Sequence, residues 1–105
     1  MNPSGESRQR VILRQAVRQL IAAATSERAS MAERSEEWHF YLGVDAAAQE
    51  VLHPELAASR APGWIDREAP AFRDGYLQTT TMLSGQRTAE QPRISLPLPS
   101  SPRPT

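Results

Sequence analysis

EEWHFYLGVDAAAQEVLH, residues 36–53, is the stretch on which the fold turns. At about 100° per residue, Phe40, Tyr41, Val44, Ala47, Ala48, Val51 and Leu52 gather on one side. Apolar residues recurring at three- and four-residue intervals predict an amphipathic helix. A second stripe, formed by Glu36, His39, Gly43, Ala46, Glu50 and His53, lies about 150° around from the centre of the first. It is therefore expected to face away from the core of its own domain. The helix should stop near His53, because a residue before proline avoids the helical region. Pro54 is suited to open a short helix running to Arg60.

Towards the N-terminus, residues 6–42 contain no Gly and no Pro and are dominated by Ala, Arg, Gln, Glu and Leu. That composition favours helix, and Leu13, Val17, Leu20, Ile21 and Ala24 share one face of it. Ser7 is a suitable N-cap, and Asn2-Pro3-Ser4-Gly5 reads as a frayed end. Thr25-Ser26-Glu27-Arg28 reads as a polar break, after which Ser30 and Glu33 fit a capping box for a second helix. Against a break, Val17, Ala24, Met31 and Trp38 keep a seven-residue spacing through it. A helical hairpin and one long helix both remain open.

Towards the C-terminus, Ala61-Pro62-Gly63-Trp64 is a turn. Pro70 opens a last helix carrying Phe72, Tyr76, Thr79, Thr80 and Leu83 on one side, with Gly85 as its stop. The β-branched Thr79, Thr80 and Thr81 leave a strand over 76–83 as the alternative. From Gln86 onward the chain holds five prolines, among them a P-x-x-P at Pro99–Pro102, and is expected to be a solvated, disordered tail. The reading is an all-α fold: a small helical bundle over 7–85, a frayed N-terminus at 1–6 and a disordered Pro-rich tail at 86–105.

Composition narrows the chemistry. The 105 residues include no Cys, which removes disulfides, thiolate metal sites and cysteine nucleophiles. All twelve basic residues are Arg, so a P-loop and Schiff-base chemistry are also excluded. Arg-only, Ala-rich and Pro-rich usage points to a GC-rich bacterial genome. Twelve acids balance the twelve arginines, so no net field draws the chain to nucleic acid or membrane. Apolar runs reach five residues, against about twenty for a membrane span and about 7–15 for a signal peptide. A cytoplasmic protein with no membrane partner is expected.

The opening stretch also repeats E-x-x-H, as Glu36/His39 and Glu50/His53. Carboxylate and imidazole three apart can share a metal ion on a helix face. The two copies lie about 21 Å apart along the axis, too far for one ion. Two chains pairing antiparallel over Gly43 and Ala46 would set Glu36 against the partner's His53 and His39 against the partner's Glu50. Each end then gathers two Glu and two His, suitable for a divalent metal. With no cofactor, the stripe is a solvated helix face.

Arg8, Arg10, Arg14 and Arg18 form a basic edge on the first helix, suited to DNA phosphates. Residues 1–24 carry four Arg against one acid, a net of +3; residues 25–60 carry three Arg against seven acids, a net of −4. Mutual screening of basic and acidic helices is favoured over DNA binding. No G-x-S-x-G or G-x-G-x-x-G occurs, and Asp66 and Asp74 near Trp64 and Tyr76 are the remaining pocket candidates. The expected function is a non-enzymatic interaction, assembly or regulatory module that binds a second copy or another protein through Trp38, Tyr41, Gly43 and Ala46. The alternatives are a DNA-associated regulator and a metal-dependent dimer.

Overall fold

The computed structural model describes residues 5–86 and 93–99. Four α-helices follow in order: α1 (Gly5–Ala29), α2 (Glu36–Leu52), α3 (Pro54–Ala58) and α4 (Pro70–Gln86), with a 3₁₀ turn at Trp64–Arg67 before α4. There is no strand among the described residues, and the chain is a small all-α bundle.

The hairpin alternative holds. α1 begins two residues before the expected cap at Ser7 and runs straight through Thr25–Arg28. The reason lies across the interface. The Arg28 guanidinium donates to Asp45 Oδ2 at 2.9 Å and to the Tyr41 carbonyl at 3.3 Å, so the last turn is tied to α2. Ser30 closes the end of α1, its hydroxyl donating to the Glu27 carbonyl at 3.0 Å, instead of capping α2. The cap is Ser35, whose Oγ accepts from the Trp38 N–H at 3.2 Å. Glu36 and Glu37 follow in the first turn, where negative charge is favoured by the helix dipole. Arg34, at φ 71°, takes the left-handed conformation that reverses the chain.

α2 is the central helix, packed on α1 and on α4. Val17, Leu20 and Ala24 of α1 meet Phe40, Tyr41, Val44, Ala48 and Leu52 of α2 in one core with Leu83 of α4. The expected apolar face is therefore correct, but it is only part of what α2 buries. Gly43 is buried too. A Cβ there would strike the Phe72 carbonyl oxygen, and a Cβ on Gly75 would strike the Phe40 carbonyl oxygen. Two glycines facing each other let the α2 and α4 backbones touch, the close approach that only Gly permits.

This corrects one expectation. Gly43, at the middle of the strip, does not face away from the core, because α4 of the same chain lies over it, and Ala46 is half-buried. An antiparallel pair of α2 helices centred on Gly43 would have to displace α4. The strip looked solvent-facing because the seven larger apolar residues already defined a face, and glycine adds no hydrophobic signal.

The segment over 76–83 is helix, and α4 continues through Gly85 to Gln86. α3 opens at Pro54 as expected and ends at Ala58. In the tail, residues 93–99 take no regular secondary structure, and Ile94 and Leu96 pack against the core. For those residues the expectation of an unpacked tail does not hold, because two large apolar side chains between the prolines find a surface on the core.

Candidate functional site

Two features meet where α2 ends. One is a polar and aromatic network. Glu50, with a side chain 11% exposed, accepts from Arg60 Nε at 2.9 Å through Oε2. Its Oε1 accepts a hydrogen bond from the Tyr76 hydroxyl. The Arg60 guanidinium lies 4.0 Å from the centre of the Trp64 ring, in cation–π contact. Trp64 stands edge-on to Tyr76 at 5.1 Å and to Phe72 at 6.0 Å. Gly63, at φ 74°, reverses the chain just before Trp64. α2, the Arg60–Trp64 turn and α4 are thus joined around one carboxylate.

Burial pushes the Tyr76 hydroxyl up to about 12, reinforced by its hydrogen bond to Glu50 and the charge there; Arg60 and the Thr80 hydroxyl oppose the shift. Tyr76 consequently remains a hydrogen-bond donor across the physiological range. With Tyr76 on one oxygen and Arg60 on the other, Glu50 ties α4 and the Arg60–Trp64 turn to α2.

The second feature is an adjoining cavity of about 250 Å³. Leu13 lines it from α1, Ala47 and Val51 from α2, Pro54 and Ala57 from α3, and Thr80, Leu83 and Ser84 from α4, with Glu50 at its edge. Its walls are mostly apolar, and it is open to solvent. A recess of this kind suits an aliphatic or aromatic side chain better than a charged substrate.

No protein family, curated protein or solved structure matches this chain.

Of the residues expected to form an interface, Tyr41 and Gly43 are buried in the chain's own packing, while Trp38 and Ala46 are half-buried. Trp38 meets His39 edge-on at 5.2 Å. The tryptophan that anchors the turn against α4 is instead Trp64. Among the expected metal residues, Glu36 is exposed at the start of α2, Glu50 is held by Arg60 and Tyr76, and His53 lies 3.8 Å from Glu55. No group of three His, Cys, Asp or Glu side chains suited to a metal forms among the described residues.

Arg8, Arg10 and Arg18 are exposed and Arg14 is half-buried. No ion pair to these four is present among the described residues. Asp66 and Asp74 are exposed and line no part of the cavity. Among the described residues, no helix is long and apolar enough to cross a membrane.

Sequence reasoning passed over Glu50–Arg60–Tyr76, because its members are separated by 10 and 26 positions. The available signal was compositional: Arg60, Trp64, Phe72 and Tyr76 fall close together in a chain poor in aromatics.

Proposed function

We propose that this chain is a small, non-enzymatic helical interaction module that receives an apolar side chain of a protein partner in the cavity between its four helices. One observation carries the reading. A mostly apolar cavity of about 250 Å³, open to solvent, is lined by residues from all four helices. Leu77, exposed, lies one turn before the lining Thr80 and two before the lining Ser84 on the same face of α4. An apolar recess with an exposed apolar side chain beside it is the kind of surface that marks interaction sites. The ionisable group at its edge, Glu50, is already engaged, so the recess offers shape and apolar surface more than reactivity.

The test is a selection of displayed peptides on the full chain, followed by titration of the selected peptides. We expect peptides sharing an apolar anchor, with affinity falling at least about tenfold in Ala57→Glu and in Ser84→Glu, equivalent to about 1.4 kcal/mol. Both positions are exposed, so both variants keep the wild-type circular dichroism. Failure to select such peptides, or equal binding by both variants, overturns the reading.

A further inference from the structure

We propose that the N-terminal half of α1 is a docking arm for duplex DNA, in which Arg8, Arg10, Arg14 and Arg18 hold phosphates while Val11 and Gln15 face the floor of the major groove. The inference is independent of the cavity reading. Arg8, Arg10, Val11 and Ile12 are all exposed, although at about 100° per residue they spread over about 200° of the helix. Among the described residues, burial along α1 begins only at Val17, so the first turns stand out from the bundle. Val17, Leu20 and Ala24 turn to the core. Val11 and Gln15, both exposed, lie about 150° and 170° around from them. Arg10, Arg14 and Arg18 climb one flank of that outward side about 6 Å apart along the axis, and Arg8 lies on the other.

The screening expected between the basic and acidic helices is not made by these arginines. Among the described residues the ion pair joining α1 to α2 is Arg28–Asp45, at the other end of α1. In the hairpin the first half of α1 runs beside the end of α2, since Leu13 and Val51 line one cavity. The α2 acid at that end, Glu50, is held by Arg60 and Tyr76, and Glu55 of α3 lies beside His53. No acid occurs in the sequence between Glu6 and Glu27. An uncompensated basic face is the footprint of a nucleic-acid surface. A guanidinium pairs with phosphate oxygens through a planar fork. A helix about 10–12 Å across fits a major groove about 12 Å wide. There Gln15 can meet an adenine edge and Val11 a thymine methyl. The major groove of duplex RNA is too narrow for the same approach. A lipid surface would need a broad apolar face, and that face of α1 is in the core.

The experiment is fluorescence anisotropy of a labelled duplex of about 20 base pairs, titrated with the full chain at several salt concentrations. Four phosphate contacts give a slope of about −3.6 in log affinity against log salt, so binding should weaken about a hundredfold between about 50 and 200 mM. Arg10→Gln and Arg18→Gln should each weaken binding and reduce the slope by about 1. The variant with Gln at all four positions should lose binding. Arg67→Gln, exposed in the 3₁₀ turn, removes the same charge elsewhere and should bind as wild type does. Gln is a good helix former, and circular dichroism checks that each variant folds. Absence of duplex binding at low salt, full binding by the fourfold variant, or an equal loss in Arg67→Gln would overturn the proposal. Duplex RNA or polyglutamate bound as tightly as DNA would overturn it as well, the second assigning the arm to an acidic protein.

Discussion

Gly43 and Gly75 show how much one missing methyl group decides. In an isolated helix, Ala is preferred to Gly by about 1 kcal/mol. At Gly43 the added Cβ meets the Phe72 carbonyl and the Tyr76 backbone nitrogen, and backbone cannot swing aside as a side chain does. Overpacking of this kind costs about 1–3 kcal/mol or more, so it outweighs the propensity gain. Gly43→Ala should therefore lower the melting temperature by several degrees. Gly85→Ala, also in α4 but with open space around it, should raise it slightly. Thermal denaturation of the pair checks both signs, and a stabilised Gly43→Ala would mean that α2 and α4 do not touch there. The small size of Gly43 was legible in the sequence, and so was its suitability for a close helix approach. Which helix approaches was not, because Gly75 lies far along the chain and nothing local connects the two.

Among the elements, the helices themselves were legible wherever periodicity, proline and composition agreed. Pro54 and Pro70 mark their helix starts, and the apolar spacing of α1 and α2 picks out the residues that meet in the core. The boundary between α1 and α2 was less legible. Ser30 and Ser35 are both plausible caps, and the choice is made by Arg28 reaching Asp45, a contact between two helices. The same holds for the Glu50 network, which joins α2, the Arg60–Trp64 turn and α4. Its energetic signature is a pH dependence. Tyr76 titrates near 12 in the folded chain against an ordinary value of 10, so its proton is held more tightly folded than unfolded. The resulting stabilisation is complete below pH 10 and is lost as pH rises through 12. Tyr76→Phe should be less stable than wild type at neutral pH by about 1 kcal/mol, through the lost hydrogen bond to Glu50. The gap should narrow between pH 10 and pH 12. A residual decline remains in both proteins, since Tyr41 is also raised, by burial and by the charges of Glu27 and Glu37. Urea denaturation across that range tests the sign, and a gap that widens with pH would contradict the assignment.

At the scale of the whole molecule, a chain this small buries a modest fraction of its surface, and each additional apolar contact is a sizeable part of its stability. That gives the tail a role its composition conceals. Five prolines identify a stretch that cannot be helical, but they say nothing about whether apolar side chains between them find a surface. Ile94 and Leu96 do, packing against the core, while the Arg93 N–H donates to the Gln86 side chain at 2.8 Å. Chain outside regular helix is compatible with proline, and its apolar side chains can reach the helices without any pattern that a helical reading would register. Both side chains are half-buried, so their contribution is below the roughly 1.5–3 kcal/mol of full burial. The double substitution Ile94→Ser and Leu96→Ser should lower stability by about 1–3 kcal/mol on that scale, seen as a lower urea midpoint with little change in slope. The same substitutions at the exposed Leu98 and Ser95→Ala should leave the midpoint near wild type, because those positions face solvent. An unchanged midpoint in the double variant would detach 93–99 from the bundle and leave the helices alone to account for the core.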